Sequence, residues 1–347
     1  MLTIQQEPTL RLGLIGFESA QISTLKNLIR RRDGAPRWRF SSVADADALV
    51  VRGRRACSLP DGEILVEAAA LNGAPLRLQL QETARPVAFA QPLPADCALP
   101  LPFNPLSPAS SEQVLRSFEL QLKPLRTRFA IGRMLVQRRA ELRHGVFHLL
   151  GEQQCQLLAV LDLRRGIAGL LAGLHPAQVK DARLERRLPA AGAVPCGFKA
   201  LTTAQLQWTY VMHTESETLP RRYRQRPIHY RGVPRVPIGW LSDSQLLLLS
   251  ELAACAQSFG NLCERTGLDR QTVERDLACL YFSSAITSSL AKAKTVRDAT
   301  SRRALCANSL GMGADLSSAS GFVSSSHEAL DGWGDMTVPA SIRGQLP

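Results

Sequence analysis

The stretch from Ser258 to Thr287, SFGNLCERTGLDRQTVERDLACLYFSSAIT, constrains this chain more than any other. Phe259, Leu262 and Cys263 recur on one face of a helix. Gly267 falls where that helix must stop, because a left-handed residue closing a helix is least costly as glycine. Asp269 follows at a cap position, where its carboxylate can accept from the first free N–H groups of a second helix. Val273, Leu277 and Leu280 keep the helical period and bury that second helix on the same small core. The leucine-rich Leu241 to Ala254 supplies a third helix, and Ala285–Thr287 a short strand.

Three helices and a strand in this order, over Leu241 to Ala293, resemble the winged helix-turn-helix superfamily. The resemblance implies that Arg270, Gln271, Thr272 and Arg275, which open the second helix, face the major groove of DNA. Arginine can pair there with guanine and glutamine with adenine. Asp269, Glu274 and Asp276 share that helix, and residues 237–293 carry 4 Lys/Arg against 6 Asp/Glu, a net of −2. DNA binders draw most of their affinity from neutralising phosphates, so such a module needs help from a basic neighbour. Its other use is contact with a protein partner or a second copy of the chain.

The basic neighbour precedes it. The chain is +12 overall, and residues 123–236 carry 20 Lys/Arg against 7 Asp/Glu, a net of +13. The densest part, LPRRYRQRPIHYRGVPRVP at 219–237, holds Arg221, Arg222, Arg224, Arg226, Arg231 and Arg235 with no acidic residue. Pro220, Pro227, Pro234 and Pro237 predict an extended backbone. Tyr223, His229 and Tyr230 are interleaved, and guanidinium forks beside aromatic faces suit a phosphate-bearing ligand with bases. The bland reading is a solvated linker. Arg222 and Arg226 are similar to the R-x-x-x-R half of the cyclic-dinucleotide motif of PilZ domains, but the D/N-x-S-x-x-G half is absent and Asp243–Ser244 is a poor stand-in.

At the other end, LRLGLIG at 10–16 predicts a buried strand, and Ile22, Leu25, Leu28 and Ile29 predict a helix within Glu18 to Arg32. Trp38 to Val43, Ala48 to Val51, Arg85 to Ala90 and Leu99 to Phe103 are further strand candidates, and Ser110 to Leu122 is an amphipathic helix. Strand, helix and strand in this order predict a parallel sheet in an α/β layer. The order resembles a response-regulator receiver, whose site needs an acidic pair, a phosphorylated aspartate, Ser/Thr and Lys-Pro. At the matching places stand Phe17–Glu18, Val51–Arg52, Ala88 to Ala90 and Asn104–Pro105, so Glu18 and Pro105 alone agree. Without a carboxylate nucleophile and oxygen ligands for magnesium, the resemblance implies a degenerate docking domain. Another small α/β domain is the alternative.

Between these ends, Lys123 to Arg143 reads as helix or strand. Val146 to Leu150, Leu157 to Leu163 and Ile167 to Leu171 read as strands, the last two joined at Arg164–Gly166. A charged helix from His175–Pro176 through Arg187 and a capped helix over Leu201 to Thr214 complete a small mixed domain. His144 and His148 stand at zinc spacing, yet Gly145 and Val146–Phe147 favour a strand and no third ligand lies near. No phosphate-binding glycine loop, G-x-S-x-G or H-E-x-x-H occurs, so no catalytic residue, metal or cofactor is expected. The eight cysteines never form CxxC, there is no apolar run of membrane-spanning length, and the N-terminus lacks a secretion-signal layout, which together predict a cytoplasmic protein with free thiols.

The expected fold is thus a multidomain α/β and α+β protein. A receiver-like α/β sandwich (8–122) leads to a small mixed α+β domain (123–218), an Arg/Pro-rich connector (219–240), a winged helix-turn-helix (241–293) and a disordered tail (294–347) rich in Ser, Ala and Gly. The expected function is non-catalytic regulation of transcription or signalling through an anionic partner, nucleic acid first. The alternatives are a signalling adaptor that binds proteins and a receptor for a cyclic-dinucleotide second messenger.

Overall fold

A computed structural model describes residues 6–29, 36–59, 63–67, 75–79, 85–93, 100–152 and 156–293. The expected tail from residue 294, Arg30 to Arg32, Leu99, Cys97, Cys155 and Cys306 lie outside these residues. The chain is mixed α/β, with parallel and antiparallel sheets, and divides into two compact units between Thr218 and Leu219.

The N-terminal unit opens with β1 (Thr9–Ile15), α1 (Ser19–Ile29), β2 (Arg37–Ser41) and β3 (Ala48–Arg52). After β3 come β4 (Ala56–Ser58), β5 (Glu63–Val66), β6 (Leu76–Gln79), β7 (Val87–Ala90), β8 (Pro102–Phe103) and α2 (Pro108–Gln121). The first sheet has the order β2-β1-β3-β7-β8 and every pair in it is parallel. Central strands of such a sheet are buried on both faces, hence their unbroken apolar runs. On one face Leu10, Leu12, Val50 and Ala88 meet Leu25 and Ile29 of α1 and Val114, Leu115 and Phe118 of α2. On the other, Ile15, Leu49, Val51 and Phe89 meet Ala56, Ile64, Val66 and Leu78. Those residues belong to an antiparallel sheet, β4-β5-β6, which covers the face that helices cover in a doubly wound fold.

Next come α3 (Lys123–Gln137), α4 (Arg139–Leu142), β9 (Val146–Leu150), β10 (Leu157–Asp162), β11 (Ile167–Leu171) and α5 (Pro176–Lys180). The unit closes with β12 (Arg183–Arg187), β13 (Phe198–Thr202) and α6 (Thr203–His213). The second sheet is antiparallel, in the order β12-β9-β10-β11-β13. One expectation narrows here and another changes. Lys123 to Arg143 is helical throughout its two elements, and the charged helix expected through Arg187 stops at Lys180. Arg183–Arg187 instead pairs with β9 as an edge strand, where exposed arginines keep other strands from adding on.

The expected boundary at 122/123 is also replaced by continuous structure. Leu122 is at once the C-cap of α2 and the N-cap of α3. Glu7, ahead of β1, accepts from Arg126 at 3.1 Å and Lys180 at 2.8 Å. The Arg11 guanidinium donates to the Met212 carbonyl, and His213 Nε2 lies 3.0 Å from Asp47 Oδ1. α3 and α6 pack closely at Gly132, where a Cβ would strike the Leu206 carbonyl oxygen and lie 2.8 Å from its carbonyl carbon.

The C-terminal unit contains α7 (Arg222–Gln225), β14 (His229–Tyr230), α8 (Asp243–Ala254), α9 (Phe259–Thr266), α10 (Arg270–Phe282) and β15 (Ile286–Thr287). The arginine-rich segment is therefore not an extended connector. Its Arg222–Gln225 turn is helical, and Leu219, Tyr223 and Ile228 are buried in the unit's core. Apolar anchors at these positions outweigh the prolines, which shape the segment locally: Arg226, before Pro227, is extended at φ −123° and ψ 155°. The strand that pairs with β15 comes from this segment, with His229 opposite Thr287, and Ile228 bridges to Gln257. Among the described residues, β15 pairs with no strand that follows residue 287. Its partner, β14, precedes the three helices.

Candidate nucleic-acid interface

α9 ends at Gly267, with φ +67°, whose N–H donates to the Cys263 carbonyl at 3.1 Å. Two residues later the Asp269 carboxylate accepts from the Thr272 N–H at 3.0 Å and caps α10. Hydrogen bonding from Thr272 holds the Asp269 carboxyl below the usual carboxylate range. This turn presents Arg270 and Gln271 to solvent, with Thr272 half-buried behind them. The Arg270 guanidinium lies 5.1 Å from the Phe259 ring centroid, a cation–π contact that holds it toward α9. Arg275 is partly exposed, its Nε 3.3 Å from Asp276 Oδ1.

Asp276 is fully buried and joins α10 to the start of α8. It accepts from Ser244 Oγ at 2.6 Å and Gln245 Nε2 at 3.2 Å. Burial pushes its carboxyl up, against the opposing pull of Arg275 and these hydrogen bonds. Because the Ser244 hydroxyl is committed to Asp276, Asp243–Ser244 is not presented as the second half of a cyclic-dinucleotide motif.

The arginines of the preceding segment divide into two groups. Arg224 forms an ion pair with Glu274 of α10. Arg222 lies over the rings of Tyr223 and Tyr281, at 5.4 and 5.5 Å, and donates to Tyr281 Oη at 3.3 Å. Tyr223 is buried, so it is a core anchor rather than an exposed stacking face, and Tyr230 is half-buried in β14. Arg231 and Arg235 are fixed through their backbone N–H groups, to Ala285 O at 2.8 Å and Ser283 O at 3.1 Å. Arg221, Arg226, Arg231 and Arg270 have no carboxylate partner among the described residues.

This packing limits how α10 can be used. From Asp276 to Ser283 only Tyr281 is partly exposed, and Tyr281 itself carries Arg222. Its outward surface is thus confined to the first two turns, at Arg270, Gln271, Glu274 and Arg275. Sequence reasoning missed the Glu274–Arg224 and Tyr281–Arg222 contacts. Glu274 and Tyr281 stand seven apart, on one helical face, and that spacing was the available signal.

At the matching receiver positions, Glu18 Oε1 accepts from Arg52 Nη1 at 2.8 Å. His148 lies in β9 with Nε2 2.9 Å from the Ala191 carbonyl oxygen, and His144 is exposed. Among the described residues no group of three or more His, Cys, Asp or Glu could hold a metal ion. No helix among them is long and apolar enough to cross a membrane. In comparisons with known proteins, no protein family, curated protein or solved structure matches this chain.

Proposed function

We propose that the C-terminal unit is a nucleic-acid-binding module, of winged-helix descent, in a non-catalytic regulator of transcription or signalling. One observation carries this reading: the arginine segment is an integral part of the three-helix unit. Residues 237–293 alone are net −2, whereas residues 219–293 carry 10 Lys/Arg against 6 Asp/Glu, a net of +4. Four of the six carboxylates are also engaged internally. Glu251 holds Arg265, Glu274 holds Arg224, Asp276 is buried, and Asp269 caps α10. The unpaired Arg221, Arg226, Arg231 and Arg270 can then neutralise phosphates while Gln271 and Arg275 approach base edges. We read the N-terminal parallel sheet as a degenerate receiver, supported by its strand order, which matches flavodoxin-like sheets once the inserted antiparallel sheet is set aside.

A protein-contact role is favoured by a different observation. Val233 and Ile238 are 80% and 81% exposed on the same unit, and Leu246 and Leu247 of α8 are exposed as well. Binding of the full chain to random duplex DNA across a salt series separates the two. Nucleic-acid binding predicts affinity that falls linearly in log–log with salt, and absence of binding at low salt leaves the adaptor, which sedimentation tests as homodimer formation.

A further inference from the structure

We infer that one end of the antiparallel β12-β9-β10-β11-β13 sheet is a second contact surface for a nucleic-acid phosphate backbone, carried by Arg143, Arg164, Arg165 and Arg186. Residues 123–218 carry 14 Lys/Arg against 7 Asp/Glu, a net of +7 that lies outside the C-terminal unit. Strand register gathers much of this charge in one place. Val146, the first residue of β9, lies opposite Arg187 of β12 on one side and Asp162 of β10 on the other. Asp162 in turn lies opposite Ile167, across the turn that carries Arg164 and Arg165. The lead into β9, the β10–β11 turn and the end of β12 therefore share one end of the sheet. Arg143, Arg164, Arg165 and Arg186 are all exposed there. The Arg186 guanidinium donates to the His144 carbonyl at 3.1 Å, which ties β12 to the residues ahead of β9.

The carboxylates of the segments that form this end are already committed. Glu141 accepts from Arg138 at 2.8 Å, and Glu185 takes Arg183 and, at 2.6 Å, Arg187. Asp162 is buried and accepts from the Arg165 N–H at 3.0 Å within its own turn. Arg143, Arg164, Arg165 and Arg186 have no carboxylate partner among the described residues. Segments 138–145, 162–167 and 185–192 together carry 7 Arg against 3 Asp/Glu, a net of +4. From β12 to the β10–β11 turn the row spans about 10–15 Å at the usual strand spacing. A duplex carries one phosphate per about 3.4 Å of axis on each strand, so this row faces roughly three or four phosphates. Guanidinium forks take phosphate oxygens directly, and such contacts position a duplex without reading its sequence. The choice of nucleic acid over other polyanions rests on the reading of the C-terminal unit; the cationic surface itself does not.

The test is binding of the full chain to a random-sequence duplex between about 50 and 200 mM salt, read by fluorescence anisotropy. The triple variant Arg143→Gln, Arg164→Gln, Arg165→Gln is expected to reduce the log–log salt slope by about 2.7, about 0.9 for each lost contact, and equally on every sequence. All three side chains are exposed, so its circular dichroism is expected to match the parent. Arg164→Gln alone, in the β10–β11 turn, is expected to reduce the slope by about 0.9 even where the triple variant perturbs the fold. A slope left unchanged by these variants but lowered by Arg226→Ala overturns the inference and leaves the C-terminal reading standing. A slope lowered by them and untouched by Arg226→Ala supports the surface and removes the C-terminal reading. Failure of the parent to bind DNA at low salt, or loss of binding to phosphatidylserine vesicles alone in the triple variant, also overturns it.

Discussion

Replacing Asp47 with alanine should cost the N-terminal unit about 3 kcal/mol, because it leaves a buried imidazole and a buried backbone N–H without their acceptor. Asp47 and His213 are 11% and 9% exposed. Asp47 Oδ2 accepts from the Arg11 N–H at 2.8 Å, and Oδ1 lies 3.0 Å from His213 Nε2. His213 Nδ1 in turn lies 2.8 Å from the Thr209 carbonyl oxygen, so both ring nitrogens face oxygen acceptors. Asp47→Ala therefore strands a buried imidazole and a backbone donor together. For a unit of this size each kcal/mol lowers the melting midpoint by about 2–4 °C, giving a drop of roughly 6–12 °C. Circular dichroism melts measure it, with hydrogen exchange of β1 and α6 peptides assigning the transition. Burial tends to raise the Asp47 carboxyl, but His213 and Arg11 outweigh it and hold it below its ordinary value. A depressed carboxylate stabilises above its unfolded pKa, and that contribution is lost as pH falls through the lower folded value. The parent unit should accordingly lose stability steeply below about pH 4, and Asp47→Ala should flatten that loss. A cost under about 1 kcal/mol, or additive effects of Asp47→Ala and His213→Ala in a double-mutant cycle, would refute the coupling.

Gly132→Ala should destabilise the same unit by about 1–3 kcal/mol in urea titrations, because its Cβ meets the backbone of α6, which cannot rotate away. In the C-terminal unit the raised Asp276 carboxyl gives the opposite pH sign. Its ionised form is disfavoured in the fold, so the unit should gain stability as pH falls from neutral through the folded pKa toward the unfolded one. Asp276→Asn should remove that dependence in melts recorded from pH 7 to pH 4. If the module binds DNA, Arg226→Ala should weaken binding evenly across sequences and reduce the salt slope by about 1, whereas Gln271→Ala should change sequence preference by about 1–3 kcal/mol at one position. Equal losses from both substitutions on random and selected duplexes would contradict the assignment of phosphate and base contacts.

Elements governed by neighbours in sequence were legible. The caps and turn around Gly267 and Asp269, the hairpin through Gly166 and the capped helix starting at Thr203 depend on residues a few positions apart, whose side chains and backbone decide the local geometry. The helix expected through Arg187 failed because its register was set by β9, some forty positions earlier, which offered Arg183–Arg187 a row of unpaired backbone groups.

By itself, the sequence determined the two local architectures, a strand–helix layer and a three-helix unit, and the location of the positive charge. Tertiary structure alone decided what that charge is attached to. Burial of Leu219, Tyr223 and Ile228 turned a proline-rich stretch into part of the helical unit, committed Arg224 and Arg222 to α10, and left Arg221, Arg226 and Arg231 outside. The reason is physical: the period of apolar residues reports which face of an element seeks a core, but which distant surface supplies that core depends on shape and on the pairing of charges brought together only in the fold.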